Sequence, residues 1–320
     1  MGPMTAATTI KVSLKRTPQD YKWTKPPEWC PGCGHFGILQ ALLQVFAELD
    51  MDPTRTVLVS GIGCSSRLPH YVRTVSAHTI HGRAIPFAIG LKLANPNLEV
   101  IVVGGDGDLF AIGGNHILGA GRRNVDFTVI LMDNAVYGLT RGQAGPTLPL
   151  GMQPKALSKP NPHADLNPLL VALASGFTFI ARAYSYDIKY TAKIIKEAIL
   201  HKGSAIVQIF SPCVTYNNIM TREWYEKRVY KLDNDPTWDP VVHDEKEDYE
   251  KRKRAIEKIL EPDRFALGVL YKNELVPTFE ERYASMYDPN YMKIPPAIQP
   301  VEKDGKSVID FYKLMADRLL

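Results

Sequence analysis

The sequence has no long hydrophobic run. None of its 320 residues lies in an apolar stretch near the ~18 residues that a membrane-spanning helix needs, so no membrane association is expected. Met1 to Tyr21 carries no hydrophobic core of the secretory kind, and a cytoplasmic protein is expected. Charge of one sign is scarce as well. The 38 Lys+Arg against 34 Asp+Glu leave a formal net charge of +4, and no Lys/Arg block concentrates it, which argues against nucleic acid as a partner. Cysteine is sparse: four residues are too few for a disulfide scaffold, and a reducing compartment keeps them as thiols. Four is also the number that one iron–sulfur cluster or one structural zinc takes.

What is there is an ordinary globular balance, 45% apolar and 22% charged, which excludes wholesale disorder. Residues 1–25 are polar and read as an extended arm. Phe36, Ile38, Leu39, Leu42, Leu43, Val45, Phe46 and Leu49 recur at a helical period. Strands are expected at Thr56–Val59, Val100–Val103, Phe127–Met132, near 177–183 and at Ala205–Phe210. Helices are expected at Ala84–Ala94, around Ile112–Arg122, near 166–175 and near 187–201, with a Pro/Gly-rich loop at about 142–163. This alternation predicts an α/β fold, a parallel sheet with helices on both faces, spanning 26–220. From Thr221 the composition turns to Tyr, Lys, Glu and Asp, with a charged helix near 243–260. Residues 221–320 are expected to form an irregular, partly helical extension without further strand–helix alternation. In such sheets ligands bind beyond the carboxyl ends of strands, and Cys64, Asp106, Asn134 and Cys213 all lie just past predicted strand ends.

The sharpest motif is Gly105-Asp106-Gly107, with 26 residues between Gly107 and the Asn134 that follows. Asp106 and Asn134 end consecutive strands, so their oxygens can converge on one hard cation. Magnesium wants oxygen ligands and often keeps diphosphate oxygens in its shell. The glycines let the backbone approach phosphates, and a helix N-terminus follows to complement their charge. The bland alternative is two unrelated strand-end turns. At this point the sequence resembles the thiamine diphosphate enzymes, whose diphosphate-binding motif opens Gly-Asp-Gly and ends in Asn. That resemblance implies that Asp106, Asn134 and the carbonyl of Val136 hold Mg2+. One departure is Asp133-Asn134 where the family usually has Asn-Asn.

A second motif is Trp29-Cys30-Pro31-Gly32-Cys33-Gly34-His35. Two thiolates three positions apart on a turn can bind one metal centre together. Haem attachment wants His directly after the second Cys, and a redox dithiol would follow a strand; neither pattern is met. A structural zinc stays open, although its second pair is usually closely spaced too. Trp-Cys-Pro-Gly-Cys-Gly-His, Ile-Gly-Cys-Ser and Ser-Pro-Cys together resemble the β subunit of 2-oxoacid:ferredoxin oxidoreductases, over roughly residues 28 to 220. The resemblance implies that Cys30, Cys33, Cys64 and Cys213 ligate a [4Fe-4S] cluster. It implies thiamine diphosphate contacts from Ile62, Gly63, Cys64 and Ser65, from His81, Gly82, Arg83 and Ala84, and from Gly107, Asp108, Gly138 and Leu139. Arg67 matches a basic position that recognises the substrate carboxylate, and Leu139 one that lines the substrate pocket.

The implied activity is coenzyme A-dependent oxidative decarboxylation of 2-oxoacids to acyl-CoA and CO2, with electrons leaving through the cluster to ferredoxin and broad 2-oxoacid use. Thiamine enzymes need a carboxylate on the aminopyrimidine from a second α/β domain, and nothing after residue 220 reads as one. An α (or fused γα) subunit is therefore expected to supply it, in a heterodimer or a dimer of such pairs. Two other readings are carried. A non-oxidative thiamine-dependent decarboxylase or synthase subunit would need no iron. A non-catalytic iron–sulfur electron-transfer subunit would bind no thiamine diphosphate.

Overall fold

Runs of β-branched residues closed by glycine and polar turns form the strands, and the computed structural model describes residues 15–316. The chain runs α1 (His35–Glu48), β1 (Thr56–Ser60), β2 (Val75–His78), α2 (Ala84–Ala94), β3 (Glu99–Gly104), α3 (Gly114–Arg123) and β4 (Phe127–Asp133). A two-residue pair follows, β5 (Val136–Tyr137) and β6 (Gln143–Ala144), then α4 (Pro168–Ser175), β7 (Phe179–Tyr184), α5 (Ile188–Leu200) and β8 (Ser204–Phe210). The remainder is α6 (Arg222–Glu226), β9 (Val229–Lys231), α7 (Asp248–Ile259), β10 (Phe265–Lys272) and α8 (Phe279–Met286), followed by a small hairpin of β11 (Glu302–Lys303) and β12 (Lys306–Ser307) and by α9 (Phe311–Ala316). Eight strands make one sheet in the order β2-β1-β3-β4-β8-β7-β10-β9. Every pairing in it is parallel except β10 against β7.

Successive strand residues face opposite sides, and the two cores follow that parity. Ile101, Val103, Ile130 and Met132 pack with α1 and α5, whereas Val100, Val102, Val129 and Leu131 pack with α2, α3, α4 and α7. Because both faces are covered, β1, β4, β7 and β8 are buried at every position. Their sequences are accordingly mostly apolar instead of alternating, with buried polar residues such as Asp133, Arg182 and Gln208 among them. Local signals set the helix ends. Asn167 accepts from the amides of Leu169 and Leu170 to start α4, and Gly176, in the left-handed region, ends it.

Two expectations need correction. The sheet does not stop at residue 220: β9, α7 and β10 form a strand–helix–strand unit that extends it past β7. The charged helix expected near 243–260 is α7, and what was missed is its two strands: β9 has three residues, all half-buried, whereas β10 is an apolar run buried at its six central positions that was legible. The other is β2, an edge strand with mostly exposed residues. Beyond Asn273 the extension does wrap on the domain, with the Tyr291 hydroxyl donating to the Leu93 carbonyl at 2.7 Å. Residues 1–14 of the predicted arm lie outside the described residues. The rest of the arm is anchored by Tyr21, fully buried against Phe46, whose hydroxyl donates to the Met51 carbonyl at 2.6 Å. Among the described residues no helix is long and apolar enough to cross a membrane.

Candidate functional site

Strands β1, β3, β4 and β8 are neighbours in the sheet. The loops at their carboxyl ends therefore meet, and two adjoining cavities form there. The first is lined by Gly105, Asp106 and Gly107 after β3 and by Asn134, Val136, Gly138 and Leu139 after β4. Ile62, Gly63, Cys64 and Ser65 after β1, His81 and Asp108 complete the predicted residues in its wall.

Asp106 is buried at this strand end. The Thr147 hydroxyl stands 3.1 Å from its Oδ2 and 2.7 Å from Oδ1 of Asp133. The Gln208 amide donates to the other oxygen of Asp133 at 2.7 Å, and Arg182 Nε donates to Gln208 at 3.0 Å. Burial pushes both carboxyl groups upward, and the charge of Asp133 pushes Asp106 further. Two buried carboxylates one hydroxyl apart call for positive charge. A divalent cation would supply it, so the donor set fits Mg2+. Past β4 the chain reverses at Ala135, held at φ +62°, a conformation unusual for a residue with a Cβ. That reversal puts Asn134 and Val136 on the same cavity.

The helical turn after Gly-Asp-Gly is a single π turn, Gly107–Ile112, ahead of α3. A Cβ on Gly107 would overlap the Tyr137 ring, and one on Gly105 would lie 3.0 Å from the Ser65 hydroxyl. The floor is thus kept to bare backbone, as close approach of a diphosphate requires.

Asp108 braces the loops around this cavity. Its carboxylate accepts from the Gly82 amide at 2.6 Å, the Ile62 amide at 3.2 Å and the Ser66 hydroxyl at 3.4 Å, with His81 Nδ1 at 3.0 Å. Gly82, Arg83 and Ala84 do not line the cavity. Gly82 sits in the left-handed region at φ +74°. Arg83 turns towards the Gly82 carbonyl and His116, and Ala84 is buried at the start of α2.

The second cavity is lined by all four cysteines, with Glu28, Trp29, His35, Arg67 and Tyr216. Backbone bonds gather its loops: Cys33 N–H to Cys30 O at 3.0 Å and Gly34 N–H to Pro212 O at 3.4 Å. Trp29 Nε1 donates to the Cys64 carbonyl at 2.7 Å. Burial pushes the Cys33 and Cys64 thiols up to about 12 and about 11, with the neighbouring cysteines adding to the shift. Among the described residues no three His, Cys, Asp or Glu side chains converge as a single-ion site. All four thiols nevertheless line this one cavity. Cys64, Asn134, Gly138 and Leu139 line both cavities, and a Cβ on Gly138 would lie 3.5 Å from Cys64 Sγ and 3.8 Å from Cys213 Sγ.

Arg67 faces the thiol cavity and pairs with Glu28, which Lys25 also holds at 2.9 Å. Sequence reasoning assigned no site role to Thr147, Tyr137, Thr140, Glu28 or His35. Tyr137 directly follows the Asn134–Val136 motif and His35 the Cys30/Cys33 pair, so adjacency was a usable signal. Thr147 lies in a loop without periodicity, and nothing local marks it.

Two family models match the chain. Residues 61–209 match the thiamine pyrophosphate enzyme C-terminal TPP binding domain, and residues 213–288 match the C-terminal part of the pyruvate ferredoxin oxidoreductase beta subunit. The 2-oxoacid:ferredoxin oxidoreductase subunit beta of Saccharolobus solfataricus is 54% identical over 294 residues, 91% of this chain and 96% of that relative.

The chain belongs to the 2-oxoacid:ferredoxin oxidoreductases, as a β subunit. A second member of the family, the 2-oxoacid:ferredoxin oxidoreductase 2 subunit beta of Aeropyrum pernix, is 48% identical over 96% of this chain and 99% of its own length. The solved 2-oxoglutarate:ferredoxin oxidoreductase of Magnetococcus marinus, with 2-oxoglutarate, coenzyme A and succinyl-CoA bound, superposes with TM-score 0.81 at 38% identity, over 95% of this chain and 97% of that one. The TPP-binding match runs from the loop after β1 to the end of β8, the span that carries three of the four site-bearing strand ends. The resemblance carried by the cysteine and Gly-Asp-Gly motifs is borne out, as is the α/β fold.

Proposed function

We propose that this β subunit, with an α (or fused γα) partner, oxidatively decarboxylates 2-oxoacids to acyl-CoA and CO2 and passes two electrons singly to ferredoxin. The observation that carries this reading is the shared wall between the two cavities. A thiamine diphosphate cavity alone would suit non-oxidative chemistry. Four thiols directly behind it suit an electron outlet.

In this reading Asp106, Asn134 and the Val136 carbonyl hold Mg2+, and the bare backbone at Gly105 and Gly107 admits the diphosphate. Cys30, Cys33, Cys64 and Cys213 hold a [4Fe-4S] cluster, the number of thiolates such a cluster takes, all lining one cavity. Bound thiamine diphosphate supplies a sink for the electron pair released as CO2 departs, and the cluster accepts one electron at a time. The protein's own work is placement. Asp108 fixes the loops carrying Ile62 and Gly82 against the π turn, and Leu139 lines both cavities where they join. Arg67 gives up Glu28 to take the substrate carboxylate, a bidentate match for its guanidinium. The partner supplies the carboxylate for the aminopyrimidine, and the location is cytoplasmic.

The test is co-expression with the α subunit, anaerobic purification, and low-temperature EPR after adding a 2-oxoacid with and without coenzyme A. A reduced-cluster signal that depends on the 2-oxoacid supports the reading, and the effective acids rank the substrates. Intact cluster and bound thiamine diphosphate without any such signal across a panel of 2-oxoacids would sink it, and absent iron would refute the cysteine assignment.

A further inference from the structure

His35 follows the Cys30/Cys33 pair and opens α1, yet no role described above uses its side chain. The ring is 1% exposed, lines the four-thiol cavity and stands edge-on to Trp29 with centroids 5.5 Å apart. Its Nδ1 is 2.7 Å from the Ser211 hydroxyl, while Nε2 is buried with no hydrogen-bond partner. Leaving such an atom unpaired costs about 1–3 kcal/mol, and folded proteins rarely carry one without a reason. A cluster held by thiolates offers only acceptors. A ring nitrogen serving such acceptors must carry the hydrogen, which assigns it to the unpartnered Nε2 and leaves Nδ1 to accept from Ser211. The main chain of the same residue already acts on the site, lowering the Cys33 thiol against the larger effect of burial.

We propose that the His35 Nε2–H donates to a sulfur of the cluster and thereby holds its reduction potential above the value that four thiolates alone would set. The inference rests on the cluster reading given above. Reduction adds a negative charge to the cluster, so a donor aimed at its sulfur favours the reduced form. Ser211 is the positioning residue, because its hydroxyl, donating to Nδ1, holds the orientation of the ring.

The experiment uses the complex of both subunits, purified without oxygen. Iron and acid-labile sulfide are measured first, then the cluster potential by an EPR-monitored redox titration, for the parent, His35→Phe and His35→Gln. His35→Phe is expected to keep its iron and titrate at a more negative potential, by about tenfold in the reduction equilibrium, which for one electron is about 59 mV. His35→Gln, with a side-chain N–H, should recover part of the shift. An unchanged potential in an iron-replete His35→Phe complex overturns the proposal. Should that variant lose its cluster, the parent labelled with ¹⁵N in the imidazole ring decides: pulsed EPR of the reduced cluster should show a weakly coupled ring nitrogen, and its absence overturns the proposal. A parent without iron overturns the cluster reading, and this inference with it, whereas an iron-replete parent with a silent His35 overturns this inference alone.

Discussion

At the scale of single residues, the site depends on atoms that two unrelated loops bring within hydrogen-bond distance. Thr147 lies between the Asp106 and Asp133 carboxylates, and Asp106 in turn faces the cavity with Asn134. If Asp106 serves the cation and Cys213 the cluster, the two cofactors separate by mutation. Asp106→Asn is expected to lose thiamine diphosphate and magnesium while keeping iron, and Cys213→Ser to lose iron while still binding thiamine diphosphate. Cofactor and iron content of the purified complexes check both. Gly107→Ala sets a Cβ into the Tyr137 ring. It should weaken thiamine diphosphate binding by about tenfold or more, or about 1.4 kcal/mol, read by a titration of the cofactor. Asp106, Asn134 and the cysteines were legible because each ends a strand or follows a motif of fixed spacing. Thr147 was not, since its place depends on a loop that folds back across β4.

At the scale of elements, the thiol loop is seated by how α1 meets the turn after β7. A Cβ on Gly37 would overlap the Ser185 carbonyl oxygen, and one on Gly34 would lie 2.7 Å from the Ser211 hydroxyl. The obstacle at Gly37 is backbone, which cannot rotate away. Gly37→Ala should therefore push α1 off the turn at a cost of about 1–3 kcal/mol and lower iron occupancy along with the melting midpoint. Unchanged iron and stability would show that the close approach is dispensable. The apolar period of residues 36–49 announced α1 itself. It carried no sign of the partner turn, because that contact joins positions 148 residues apart, Gly37 and Ser185.

At the scale of the molecule, the sheet is completed only by the segment beyond residue 220. β10 covers the edge of β7, and α7 packs in the same core as α4. A chain cut after residue 220 would leave a long apolar edge strand open, which favours aggregation. It is expected to be insoluble, whereas a cut after Asp288 keeps the sheet and should stay soluble and bind thiamine diphosphate; soluble yield distinguishes the two. Acid should loosen the same region. His201 is buried and its imidazole is pushed down to about 4 from its ordinary 6.5, by burial first. Below 6.5 the unfolded chain takes up a proton that the folded one refuses until about pH 4. The contribution is full above that window and falls as the pH drops through it, by about 2 kcal/mol at pH 5. Melting midpoints should therefore fall between pH 7 and 5, and fall less in His201→Gln.

The sequence by itself determined the chemistry available and the fold class. Strand–helix alternation from Thr56 to Phe210, the ends of those strands, and motifs of fixed spacing are local features that report their own role. Only the tertiary structure decided that the two cavities share Cys64, Asn134, Gly138 and Leu139, that Arg67 pairs with Glu28, that Asp108 braces loops, and that β9, α7 and β10 finish the sheet. Each of these joins segments distant in the chain. None repeats with a period or obeys a spacing, so it exists only once the strands have taken their order.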